Sequence, residues 1–246
     1  MTKKLFSLGV LLFLYYQSSF SQSYIEASYG LPNIQWNYSG DFDGLRTEYR
    51  TGWDISIKAY KKNPKNIVYG IEAGVKRFGN RFHFDRMSYG LDPIYYFNIS
   101  PTVGYNLIIP NTRVSFVPEF GLSLGYTPLN DIVYNQDKAF QIYTKKIQDA
   151  DGNTITVPLY DLTFSGKQTI ENKVFMQLNP KIGFQYKLNE TSTFSINFKA
   201  FISMNRNLVQ RDFSDIEFEE EHFQAVHSSS LTSTVISFGY ALRIGQ

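Results

Sequence analysis

The chain has 246 residues, no cysteine, and 24 basic against 22 acidic side chains. A net charge this close to zero gives no basic surface for nucleic acid, and the missing thiols exclude both a disulfide framework and a lipidated cysteine anchor. Aromatics make up 17% of the residues, yet past the first 21 no segment approaches the run of about 18 apolar residues that marks a helical membrane span.

Residues 1–21 read as a secretory signal peptide. Lys3 and Lys4 precede an apolar run from Leu5 to Tyr16, and a small-residue stretch, Ser18-Ser19-Phe20-Ser21, follows. Twelve apolar residues cannot cross a ~30 Å hydrocarbon layer as a helix. Cleavage before Gln22 would leave serines at the −3 and −1 positions. Loss of Lys3 and Lys4 then leaves 22 basic residues against 22 acidic ones. Residues 22–246 are expected to form one all-β domain.

From there the chain alternates with period two, the pattern of strands with one apolar face. Eight strands are predicted, at 23–31, 49–60, 66–77, 94–106, 113–126, 173–188, 193–204 and 233–245. In the first, Ile25, Ala27, Tyr29 and Leu31 alternate with Glu26, Ser28 and Gly30. In the third, Ile67, Tyr69, Ile71, Ala73 and Val75 face away from Gly70, Glu72, Gly74 and Lys76. Within the alternating runs of the eight, such as 24–31, 51–60 and 67–76, no charge falls on the apolar face. The opposite face carries Glu26, Asp54, Lys58, Glu72, Lys76, Glu119, Lys181, Lys187, Lys199 and Arg243.

A soluble sandwich alternates too, with its apolar face inward. Two features favour the inverted arrangement. The polar face is filled with Gly, Ser, Asn and Thr, small enough for a narrow lumen. The apolar face is rich in Phe and Tyr, with Tyr105 and Tyr126 at strand ends where an interfacial girdle belongs.

The connections alternate in length: 32–50, 77–94, 127–173 and 205–233 are long, whereas 61–66, 106–113 and 189–193 are short. Lys62-Asn63-Pro64-Lys65-Asn66, Pro110-Asn111-Thr112 and Asn189-Glu190-Thr191 supply turn chemistry in the short ones. The fold class is therefore all-β: an eight-stranded antiparallel up-and-down transmembrane β-barrel with short periplasmic turns and long extracellular loops. The main rival has ten strands, with 139–148 and 154–164 also spanning. Lys145 and Lys146 are adjacent, so spanning would turn one of them toward lipid, at about 2–4 kcal/mol near the midplane. That hairpin is expected outside.

Two motifs carry a resemblance. The last strand, Ser237-Phe238-Gly239-Tyr240-Ala241-Leu242-Arg243-Ile244, fits polar-x-Gly-x-x-apolar-x-apolar. A Pro-x-x-Gly unit recurs at Pro101–Gly104, Pro118–Gly121 and Pro180–Gly183. With these the chain resembles the small OmpA/OmpX-like outer-membrane β-barrels of Gram-negative bacteria. The resemblance implies an outer-membrane location and recognition of Ser237, Gly239, Leu242 and Ile244 by the barrel-insertion machinery. One departure is that the chain runs on through Gly245 to Gln246 instead of ending on an aromatic residue. Mid-strand prolines must sit at bulges or locally unpaired positions.

Few parts for chemistry are present. His83, His222 and His227 all fall in predicted outer segments. His227-Ser228-Ser229 has the spacing of outer-membrane lipid A deacylases, but residues 230–246 hold no Asp or Glu to orient the histidine. Asp149, Asp151 and Asn153 resemble the start of a calcium loop, yet Thr154 stands where such a loop needs Gly and Tyr160 where it needs Glu. An Asp-Gly hairpin turn explains the same residues. Glu217, Glu219, Glu220 and Glu221 read as a solvated face that weak divalent-ion bridging could link to lipopolysaccharide. The inward charges must pair inside a lumen just wide enough for its own side chains. The expected function is non-enzymatic and cofactor-free: a barrel anchoring loops that meet outer-membrane lipids and lipopolysaccharide, or another envelope or extracellular protein. The alternatives are a lipid-modifying enzyme built on His227 and Ser229, and a narrow channel or secretion accessory.

Overall fold

The computed structural model describes residues 22–41, 45–84, 87–134, 140–148, 152–218 and 221–245. The expected signal peptide, residues 1–21, lies outside them, as do Asp149, Asp151, Glu219 and Glu220.

Fifteen strands are present among the described residues: β1 (Gln22–Ile34), β2 (Asn37–Gly40), β3 (Leu45–Lys62), β4 (Ile67–Phe84), β5 (Met87–Tyr105), β6 (Leu107–Ile108), β7 (Val114–Tyr126), β8 (Ile132–Tyr134), β9 (Phe140–Gln148), β10 (Thr154–Ile170), β11 (Val174–Lys187), β12 (Ser192–Ser203), β13 (Val209–Phe218), β14 (Glu221–Ser229) and β15 (Ser233–Gly245). Eight of them, β1, β3, β4, β5, β7, β11, β12 and β15, pair antiparallel in chain order. Register from Tyr29↔Phe238 and Tyr29↔Ile55 joins β1 to β15 and β3 and closes the ring. Closure removes every edge, the condition for a sheet to stand in hydrocarbon.

Side chains confirm which face is outside. Ile57, Phe97, Phe120, Leu124, Phe184, Phe238 and Leu242 are all exposed on the outer wall, while the residues between them are buried. Along β15 the exposed set runs Ile236, Phe238, Tyr240, Leu242, Ile244. At about 3.4 Å per residue and a 40° tilt, that run is roughly 20 Å tall, close to an outer-membrane apolar band. Tyr105 and Tyr186 mark the end with short turns, and Tyr126 the end with long connections. The fold is that of an outer-membrane β-barrel.

The mid-strand prolines keep register rather than forming bulges. β5 pairs β7 at Ile99↔Leu124 and resumes at Thr102↔Gly121, skipping Pro101 without a shift. β11 likewise pairs β12 at Leu178↔Ile202 and resumes at Lys181↔Lys199, skipping Pro180. Each proline therefore faces a locally unpaired stretch on one side, as its missing N–H requires.

The long connections depart from the expectation of loops. β4 and β5 run on past the predicted ends and pair out to Phe84↔Met87, so 77–94 is mostly hairpin. The others fold into a second, six-stranded sheet in the order β2-β14-β13-β10-β8, with β9 beside β10. β9 and β10 pair from Gln148↔Thr154 toward Phe140↔Leu162, with Gly152 at φ +80° in the turn. This is the hairpin weighed as strands nine and ten, and it belongs to the second sheet.

Gly239, the glycine of the terminal motif, is required by close approach. A Cβ there would run into Glu26 Oε1 and the Ser195 hydroxyl. Gly239→Val is accordingly expected to cost about 1–3 kcal/mol, an overpacking penalty. Chemical unfolding in detergent micelles measures it, and an unchanged midpoint would show that Glu26 can move aside.

Candidate functional site

The lumen is built in layers, because inward positions follow one another every second residue up each strand. Its middle is charged. Asp54, Glu72, Lys58, Lys76, Glu26, Glu119, Lys181 and Lys199 are all buried, four acids against four lysines. Glu119 from β7 takes ion pairs from both Lys58 of β3 and Lys181 of β11, the latter at 2.8 Å. Lys199 of β12 reaches Glu72 at 2.6 Å and Asp54 at 4.0 Å, and it donates to Ser56 Oγ at 3.1 Å. Lys76 lies 3.4 Å from Asp54, donates to Asn98 Oδ1 at 2.8 Å, and sits over the Phe201 ring at 3.5 Å. Glu26 accepts from Ser195 Oγ at 2.7 Å and from Asn197 Nδ2 at 3.2 Å. A buried charge without such partners would cost several kcal/mol. A cavity bounded by Glu72, Ser100, Glu119, Lys181, Lys199 and Phe201 in this layer measures about 10 Å³, room for at most one water.

Apolar layers bound this network on both sides. Toward the short-turn end Tyr60, Val68, Val117 and Ala241 pack together with Tyr24, whose ring stacks on Tyr60 at 5.0 Å. Toward the long-connection end Ile34, Phe78, Ile94, Tyr96 and Phe175 of the barrel pack against Leu208, Val209 and Leu231, with Trp36, Leu129 and Ile170 around them. Gln177 ties this lid down by donating to the Leu231 carbonyl at 3.0 Å.

Two inward bases of the sequence pattern lie elsewhere. Lys187 is exposed and Arg243 partly exposed, both at the short-turn mouth and outside the buried network. Their parity is inward, but they stand too near the strand ends to reach the carboxylates. In the terminal motif Ser237 is fully buried and Gly239 faces inward, whereas Leu242 and Ile244 face outward at 46% and 62% exposure.

The second sheet has its own interior. Tyr134, Phe164, Phe213, Ile216 and Ala225 are buried there, with ring contacts of 5.5 Å between Phe164 and Phe213 and 5.7 Å between Tyr134 and Phe213. Arg211 is fully buried, its Nε donating to Gln168 Oε1 at 2.8 Å and its guanidinium 5.0 Å from the Trp36 ring. The sequence reading missed Arg211, Gln168 and the lid. The available clue was out-of-phase aromatics, since Phe78, Tyr96, Phe175 and Phe201 share the parity of the inward charges.

His227 and Ser229 sit side by side on β14 but are not arranged as base and nucleophile. Ser229 Oγ donates to the Gln35 carbonyl at 2.7 Å and accepts from Leu231 N–H at 3.0 Å. Burial, reinforced by the Arg211 charge, holds the His227 imidazole down at about 3. A cation rather than a carboxylate therefore dominates its field. His222 pairs at 2.7 Å with Asp215 on the exposed side of the sheet, which raises its pKa. His83 is placed on β4. Among the described residues no three potential metal ligands gather.

No protein-family model matches the chain, and no curated relative matches it either. Solved structures do. The outer membrane protein OprG from Pseudomonas aeruginosa shares 11% identity at a TM-score of 0.50, over 91% of this chain and 97% of that one. Neisserial surface protein A gives 9% identity and 0.45 over 90% and 97%, and a major outer membrane protein from Thermus thermophilus gives 13% and 0.44 over 91% and 99%. The likeness to OprG concerns the fold alone and agrees with the closed, outwardly apolar ring.

Proposed function

We propose that this outer-membrane barrel is a plugged anchor whose working part is the second sheet, presented to an external or envelope partner or to the surface lipid. The observation that carries this reading is the division of labour along the axis. The lumen is filled with paired charges between two apolar layers, so transport has no path. The long connections, by contrast, form a sheet with a packed interior, and ordering a residue costs about 1–2 kcal/mol of entropy. A barrel needs no such sheet to close. Because a mature chain entering at Gln22 begins its first strand at the short-turn end, the second sheet would face outward. The terminal-strand residues Ser237, Gly239, Leu242 and Ile244 would serve insertion rather than the final task.

Complementation separates this reading from a lumen-based one. In a strain lacking the protein, a chain with β9 and the distal half of β10 replaced by a short turn should insert normally yet fail to restore the lost trait. A chain carrying Asp54→Asn with Lys76→Met should restore it. The opposite pattern would place the function in the lumen.

A further inference from the structure

The inward face continues past the Tyr24–Tyr60 layer into a cavity of about 310 Å³ at the short-turn mouth. Lys62, Arg113, Lys187 and Arg243 line it, against one carboxylate, Glu190. Among the described residues none of the four bases has an ion-pair partner; Arg113 makes only a 3.5 Å contact from Nη1 to the Leu188 carbonyl. In the sealed middle of the same lumen, four acids answer four lysines. Charge is balanced where solvent cannot enter and left in excess where a ligand can.

We propose that this cavity binds a multiply charged anion of the phosphate class. Four bases against one acid leave three positive charges to answer. A phosphate monoester brings about −1.5 to −2, so it matches the excess better than a single carboxylate does. Arginine forks and lysine ammonium groups both suit phosphate oxygens. Gln185, Thr112 and Thr193 add neutral donors to the walls, and the Tyr24–Tyr60 stack closes the floor. Two sources share this chemistry: a soluble phosphate compound entering from the short-turn side, and the headgroup of a phospholipid in the surrounding leaflet.

Calorimetric titration of the folded protein in uncharged detergent, with inorganic pyrophosphate as the probe, tests the site. Saturable one-to-one binding that weakens with ionic strength is expected. Lys187→Gln combined with Arg243→Gln should raise Kd about ten-fold or more, roughly the loss of one charge-assisted contact. Lys61→Gln, which alters a neighbouring base outside the cavity, should leave Kd unchanged. Retention of the folded gel mobility checks each variant, and Lys62→Gln replaces the double variant should that one misfold. A second arm dopes the micelles with short-chain phosphatidic acid. Binding there, lost in the same variants and absent for pyrophosphate, assigns the site to headgroups; the reverse assigns it to soluble phosphate. No binding of either probe, or equal binding by wild type and variants, overturns the proposal.

Discussion

Glu119→Leu is expected to destabilise the barrel by about 3–5 kcal/mol, the cost of stranding buried charge when its partner is removed. Glu119 is the single acid shared by Lys58 and Lys181, and both lysines are buried against it. Removing Lys58 alone should cost less, because Glu119 keeps Lys181. The triple replacement Lys58→Met, Glu119→Leu, Lys181→Met should recover much of the loss, since an apolar lumen of similar volume strands nothing. Chemical unfolding in micelles, followed by the loss of strand signal, measures all three. Near-equal costs for Glu119→Leu and Lys58→Met would mean that water reaches these groups and that the lumen is not plugged.

Acidification is expected to loosen the second sheet while the barrel persists. The His227 imidazole has a folded pKa of about 3 against an ordinary 6.5, lowered by burial and by Arg211. Between those values the unfolded sheet takes up a proton that the folded sheet refuses. Stability is therefore full above about pH 6.5 and falls as the pH drops toward 3. The whole window is worth on the order of 5 kcal/mol. Arg211 lies across the strand pair from the ring, with Tyr38 at 5.0 Å and Phe213 at 5.9 Å. His222 works in the opposite sense through Asp215, but that pair is exposed and screened. Limited proteolysis of β13 and β14 across this pH range follows the opening. His227→Phe, which keeps an aromatic ring between Tyr38 and Phe213, should flatten the pH dependence. An unchanged profile in that variant would assign the effect to other groups.

The barrel was legible because its physics is simple: lipid outside and a narrow lumen inside impose strict period-two alternation. All eight predicted strands are present, and β15 matches its expected bounds of 233–245. The second sheet was not legible, since its buried face mixes Arg211, Gln168, His227 and Ser229 with Phe164, Phe213 and Ala225 instead of presenting an unbroken apolar row. A register shift between Phe213 and Ile216 breaks the alternation further. The buried charges could be placed on the inward face by parity, but parity says nothing about height along the strand. Parity alone therefore groups Lys187 and Arg243 with Lys181 and Lys199, although they stand at the mouth. Height along the axis decides whether an inward base is paired or free to meet a ligand. It depends on barrel shear, which no local pattern records.

Planar-bilayer recording of the purified barrel shows whether a continuous water path crosses the lumen. The layered lumen predicts no stable conductance steps from the wild type at either polarity. Stable ion conductance in the wild type, unaffected by Glu72→Gln or Lys76→Met, would contradict the plugged anchor.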